Sequence, residues 1–239
     1  MPDWLASFIQ WLHGMGLHLG PDSAAALGQA AQSAGQAAAR MDMPQLLALA
    51  AALGWASGVR LYAVVFLVGA MGAADWIALP AGLHLLQHPA VLAASGFMMF
   101  IEFFADKIPW LDSVWDGVHT FLRIPAGAAL AAGVFGDSGQ GTALAAAIIG
   151  GTLTAGTHFG KAGTRAAANT SPEPFSNLGL SLAEDTAVAG GLALAVAHPL
   201  VFLILLALFL VALIFLLRFI VRGIATLLRK LASTASAPT

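Results

Sequence analysis

FIEFFADKIPWLDSVWDGVHTFLRIP, running from Phe100 to Pro125, decides how the chain is to be read. It gathers Glu102, Asp106, Lys107, Asp112, Asp116 and Arg123 in a sequence that is otherwise apolar or small. Of 239 residues 59% are hydrophobic and 9% charged, and the mean hydropathy is +0.84. A water-soluble globule could not cover its surface with so few polar groups. The chain therefore reads as an all-α polytopic membrane protein, with this charged stretch set inside an apolar scaffold.

Outward from that stretch, apolar segments follow one another at membrane-spanning length. Before it, Leu46 to Gly72 is a first span, opened by Asp42 as N-cap and Pro44 in the first turn and interrupted by Arg60. A turn-rich segment from Ala73 to Gln87 leads to a second span, His88 to Asp106. Asp112 or Ser113 can cap a third helix whose buried part is His119 to Phe135, and its Pro125 and Gly127 predict a kink. Thr142 to Gly163, Leu178 to Ala197 and Pro199 to Leu217 complete six spans, with Lys161 to Asn177 as a polar loop. Both ends are then placed in the cytoplasm. The inner segments carry Arg40, Lys107, Arg123, Lys161, Arg165, Arg218, Arg222, Arg229 and Lys230, and the outer turns carry no Lys or Arg, as the positive-inside rule requires.

The organisation has three parts. Residues 1–40 combine an amphipathic segment, with Trp4, Phe8, Trp11, Leu12 and Met15 at helical spacing, and an Ala-rich linker helix from Pro21 to Arg40. The first lies on the membrane or packs on protein, and its lack of Lys and Arg is unlike a cleaved signal. Residues 41–223 form the six-helix domain, and 224–239 a basic cytoplasmic tail. Six spans admit a three-plus-three inverted repeat. Ala56-Ser-Gly-Val-Arg60 in span one matches Thr154-Ala-Gly-Thr-His158 in span four by distance from the helix start, while Glu102 and Glu184 do not correspond.

Charge and cysteine content exclude several functions. A net charge of −2 is not the basic footprint of nucleic-acid binding, and the absence of cysteine removes disulfides, thiolate metal sites and cysteine nucleophiles. No hydrolase, kinase or deaminase motif is present, so an enzyme is the less favoured class.

The candidate chemistry lies in polar groups at membrane depth. Arg60 in mid-span costs about 2.5 to 3.5 kcal/mol on insertion scales and should find a carboxylate or a cavity. Glu102 and Glu184 are placed within reach, with Asp185 beside the latter. Arg60, Glu102, Asp106, His158, Glu184 and Asp185, with Tyr62, would form an inner-half pocket for an ion or small polar solute. The same groups could instead be a salt bridge locking helices together. Gly150, Gly151, Gly156, Gly160 and Gly163, with Thr152, Thr154 and Thr157, suit close helix packing or carbonyls exposed to a cation. Asp112, Asp116, His119 and Arg123 share one helical face. The first three could hold a divalent metal, with Arg123 for a phosphate or carboxylate; alternatively Asp112 caps, Asp116 pairs with Lys107 or Arg123, and His119 marks the interface, as Trp110 and Trp115 would.

Glu102-Phe-Phe-Ala-Asp106-Lys107-Ile-Pro109, followed by Asp112-Ser113, Trp115-Asp116, His119-Thr120, Arg123 and Pro125-Ala-Gly127, resembles a signature of bacterial membrane proteins grouped as domain of unknown function 4126. The resemblance runs from Leu46 to Ala197 and includes Gly58-Val-Arg60 and Thr170 to Asn177. It implies a bacterial inner membrane but no chemistry. The expected role is a small transporter or channel for an ion or small polar solute. A membrane-embedded enzyme acting on a lipid or phosphate-bearing substrate, and a non-catalytic scaffold or assembly factor, are the alternatives. Expected partners are the lipid bilayer, the solute and further copies of the chain, with no organic cofactor and a divalent metal only at Asp112, Asp116 and His119.

Overall fold

A computed structural model describes residues 41–108, 110–169 and 175–235; the amphipathic N-terminal segment and the linker helix lie outside the described residues. All regular structure among them is helical. The helices are α1 (Met43–Ala73), α2 (Pro89–Ala105), α3 (Leu111–Val134), α4 (Gln140–Ala168), α5 (Phe175–Ala197) and α6 (Pro199–Ala235), with short 3-10 turns at Ala81–Gln87 and Gly136–Ser138. They fall on the six apolar segments. α6 runs on past residue 224 to Ala235.

α1 is the central element. Its start is fixed by a reciprocal capping box, in which Asp42 accepts from the Gln45 backbone N–H at 3.0 Å and the Gln45 side chain accepts from the Asp42 N–H at 2.9 Å. Around it the usual distribution is inverted. Leu53, Val64 and Val68 are buried, but so are Arg60, Glu102, Asp106, Arg123 and Arg165, while Phe97, Phe121, Leu144, Ile148, Leu200, Ile204 and Leu208 face outward. A surface of that kind suits lipid. α1, α5 and α6 are long and apolar enough to cross a membrane, and the Ala81–Gln87 turn with α2, bent by 69°, makes a fourth such unit. α3 and α4 do not reach the same apolarity: α3 carries Asp112, Asp116 and Arg123, and the apolar part of α4 is diluted by glycine, threonine and His158.

Small residues let α1 and α4 touch. A Cβ on Gly54 would lie 2.8 Å from the Gly150 Cα, and one on Gly58 would overlap the Thr157 hydroxyl and the Thr154 carbonyl. Thr154 Oγ1 donates to the Gly54 carbonyl at 2.7 Å and Thr157 Oγ1 to the Trp55 carbonyl at 2.9 Å. The two stretches set against each other as repeat partners therefore cross each other. Trp55 also reaches the other side, edge-on to Phe202 and Phe209 of α6 and against Gly191 of α5. Substituting Thr154→Val keeps shape and removes one interhelical hydrogen bond. Melting in nanodiscs should show a loss of about 0.6 to 1.7 kcal/mol, and an unchanged midpoint would mean that the contact carries no stability.

The helix break is not at Pro125. α3 continues through that residue, whose missing N–H costs one ladder bond that a membrane bundle tolerates. α1 breaks instead at Arg60, with φ −146° and ψ 78°. The break frees the Val59 carbonyl, which accepts from Lys161 Nζ at 3.1 Å. The start of α3 also differs from expectation. Trp110 precedes it with φ 72° and no capping side chain, so Asp112 lies in the first turn and accepts from the next residue's N–H, Ser113, at 2.6 Å.

Candidate functional site

The break in α1 directs Arg60 into the bundle, where five helices contribute ionisable side chains to one network. Arg60 Nη1 meets Asp106 Oδ2 at 2.5 Å and Nε lies 3.0 Å from Asp185 Oδ1, with Glu184 farther at 3.7 Å. Its two Nη atoms also donate to the Glu102 backbone carbonyl at 3.4 Å and to Ser181 Oγ at 2.9 Å. Arg60 thus has acid partners, as its depth demands. They are Asp106 and Asp185 before Glu184, and the Glu102 carboxylate belongs to another cation.

That cation is Arg123. Its Nη2 donates to Glu102 Oε1 and its Nη1 to Asp116 Oδ1, each at 2.6 Å, so one guanidinium joins α2 to α3. Nη1 also lies 3.2 Å from His158 Nδ1. A guanidinium has no acceptor, so His158 must accept at Nδ1 and carry its proton on Nε2. That proton points to Thr120 Oγ1 at 2.7 Å, and Thr120 in turn donates to the Asp116 carbonyl at 2.9 Å.

Lys161 and Arg165 of α4 complete the network. Lys161 Nζ contacts Asp106 at 2.9 Å, Asp116 at 3.4 Å and Glu184 at 3.6 Å. Arg165 grips Glu184 with two bonds, Nε to Oε1 at 3.1 Å and Nη2 to Oε2 at 2.7 Å, and donates from Nη1 to the Asp106 carbonyl at 2.7 Å. Asp106 is the hub, with its Oδ2 facing Arg60, Lys161 and Arg165. Four cations thus meet five carboxylates. One oxygen each of Glu102, Asp106, Asp116 and Asp185 is buried without a hydrogen-bond donor. At the edge, Lys107 stands 2.9 Å from the centre of the Phe103 ring and donates to Ser181 Oγ at 3.3 Å. Desolvation there pulls the Lys107 pKa below the usual lysine range, with Asp185 acting against it.

Asp112, Asp116 and His119 are not gathered together. Asp112 accepts from Ser113 and from Asn169 Nδ2, at 3.2 Å to Oδ1, and Asn177 donates onward to Asn169 at 2.6 Å. His119 Nδ1 bonds the Trp115 carbonyl at 2.7 Å, and its ring stacks on Trp115 with Tyr62 edge-on. Among the described residues no three His, Asp or Glu side chains are placed to hold a metal ion. Asp116 joins the ion network, through the Arg123 pairing that was one of its two expected partners.

A cleft of about 230 Å³ opens between α3 and α4, lined by Ser113, Asp116, Thr120, His158, Phe159 and Arg165 among others. Asp116, His158 and Arg165 of the network line this cleft while remaining buried themselves, at 3%, 1% and 1% exposure.

Of the expected pocket, Arg60, Asp106, Glu184 and Asp185 form one half of this network, and Glu102 and His158 are joined to it through Arg123. The comparison with protein families agrees with this signature: the model for a domain of unknown function, DUF4126, matches residues 47–219. The chain belongs to that family. The DUF4126 match takes in all six helices, including most of α6, which lies beyond the end expected from the motif residues. No curated protein and no solved structure matches the chain.

Sequence reasoning overlooked Lys161 and Arg165. In the sequence both read as loop charges, yet α4 continues to Ala168 and buries them to 5% and 1% exposure. Their spacing carried the signal. His158, Lys161 and Arg165 stand at i, i+3 and i+7, one face of a helix that had only to continue. Arg123, Lys161 and Arg165 are also charges that the positive-inside count treated as facing the cytoplasm.

Proposed function

We propose that the chain is a small transporter or channel for an ion or small polar solute, with the ion network and its cleft as the transport site. The observation that carries this is the convergence of nine ionisable side chains from five helices beside an open cleft. Helices can be locked together by apolar packing without the desolvation penalty of buried charge. A charged interior that reaches a cleft is the arrangement that a polar solute needs.

The same reading places six crossings in a bacterial inner membrane, with both termini cytoplasmic and the network in the inner half. By rise per residue α3 and α4 are about 36 and 43 Å long, enough for a hydrocarbon core of about 30 Å. Their charges are paired inside the bundle. The meeting of Gly58 with Thr154 and Thr157 at the α1–α4 crossing is compatible with a three-plus-three repeat whose first helices cross centrally. Glycine-rich contacts also leave room for assembly with further copies.

The test is charge movement in proteoliposomes on a solid-supported membrane, challenged in turn with protons, sodium, potassium, phosphate and small amino acids. At least one challenge should give a transient that Asp116→Asn reduces roughly tenfold, the weight of about 1.4 kcal/mol. Silence across the panel from folded protein would reject transport. It would favour a scaffold, a reading supported by the pairing of every cation in the network with a carboxylate.

A further inference from the structure

We propose that Glu102 is the proton-binding carboxyl of this network, and that Arg123 couples its proton to the state of Asp116 at the cleft. This rests on the reading of the network as a transport site and names the proton as the ion it handles.

The five carboxylates are not held alike. Asp106 faces three cations on one oxygen. Glu184 has both oxygens on Arg165, with Lys161 and Arg60 beyond. Asp116 has Arg123 and Lys161. Asp185 has Arg60, and its side chain is 31% exposed, so water shares in solvating it. Glu102 has a single ion-pair contact, with Arg123, which it divides with Asp116, and its side chain is 1% exposed. Its Oε2 is buried without a donor. Ionisation is least supported where one shared cation serves a carboxylate that water does not reach.

The surroundings from each packed helix fit that assignment. From α1, Arg60 spends a hydrogen bond on the Glu102 backbone carbonyl, not its carboxylate, and Tyr62 lies near. From α3 come Arg123 and, through it, Asp116. At longer range Lys161 of α4 and Arg60 favour the carboxylate, and Asp106 at the end of α2 opposes it. Glu184 and Asp185 of α5 face Arg60, and His158 of α4 faces Arg123.

Arg123 makes the coupling. While Glu102 is protonated, the guanidinium is free to hold Asp116 and the acceptor nitrogen of His158. When a cation enters the cleft and engages Asp116, Nη1 loses its partner and the positive charge serves Glu102 alone. The O–H bond at Glu102 then breaks, its proton passes to water that enters from the cleft with the cation, and the carboxylate keeps the electron pair against Arg123 Nη2. Reprotonation reverses each step.

Infrared difference spectroscopy of the full chain in nanodiscs, titrated from acid to alkaline pH, tests this without knowledge of any solute. A protonated-carboxyl band should be present at neutral pH, downshift in heavy water, and move on labelling with carbon-13 glutamate. The sequence has only Glu102, Glu173 and Glu184 to label. Glu102→Gln should remove the band, and Glu184→Gln should leave it. Asp116→Asn should make the band titrate about one pH unit lower or more, because a negative charge is lost and Arg123 is no longer shared. A missing band at neutral pH, a band indifferent to glutamate label in the wild type, or one that survives in Glu102→Gln overturns the proposal. If Glu102→Gln fails to fold, survival of the labelled band in both Glu173→Gln and Glu184→Gln assigns it to Glu102, and its loss in either overturns the proposal. Flux without the band would leave transport standing and remove the proton site. The band without flux would do the reverse.

Discussion

Asp106→Asn is expected to be among the most damaging single substitutions in this chain, lowering stability by about 3 to 5 kcal/mol, the range for removing one partner of a buried ion pair. Asparagine has the shape of aspartate, so packing is preserved and charge alone is tested. Asp106 Oδ2 faces Arg60, Lys161 and Arg165, and the side chain is fully buried. Without its charge three cations remain close together, and Arg60 keeps only Asp185 and the more distant Glu184. Thermal unfolding in nanodiscs measures the loss. Glu102→Gln serves as the comparison: it reproduces a protonated carboxyl and leaves Arg123 with Asp116, so it should cost much less. Equal costs for the two would show that the network does not divide into firmly ionised and proton-carrying members.

Gly58→Ala should cost about 3 kcal/mol, the upper end of the overpacking range, although it adds one methyl group. That methyl would overlap the Thr157 hydroxyl and the Thr154 carbonyl and lie 2.9 Å from the His158 nitrogen. Two of those three obstacles are helix backbone, which cannot rotate away, so α1 and α4 must separate. Separation would stretch the Thr154 and Thr157 bonds to α1 and the Lys161 bond to the Val59 carbonyl, and loosen the network that depends on them. Gly156→Ala on the same face of the problem is the control. Its new methyl would meet only Leu213 at 3.9 Å, an ordinary contact, and should be nearly neutral. Similar melting midpoints for the two variants would refute the close crossing.

The two sets of residues differ in how readable they were. Asp42, Gln45 and Pro44 announce the start of α1 because caps are local chemistry, and the apolar segments announce the helices because each need only be long and greasy enough. The requirement that Arg60 find an acid was equally legible, since an unpaired guanidinium in hydrocarbon is too costly. Which acid it finds was not. Glu102 and Glu184 read as the acids within reach, but the Glu102 carboxylate turns to Arg123, so that Arg60 reaches only its carbonyl, and Asp106 and Asp185 stand nearer than Glu184. Lys161 and Arg165 looked like loop charges because loops and helix ends share a composition, and their burial follows from α4 running on to Ala168.

By itself the sequence determined an all-helical chain with apolar helices able to cross a membrane, the family it belongs to, and a charged centre that has to be neutralised internally. Only the tertiary structure decided the pairing. Partners such as Arg60 and Asp185, or Lys161 and Asp106, are joined by side chains a few ångströms long, so their choice depends on how each helix is rotated and how closely it approaches its neighbour. Those quantities are set by contacts such as Gly58 on Thr157 and by the break at Arg60, which arise only when the helices pack.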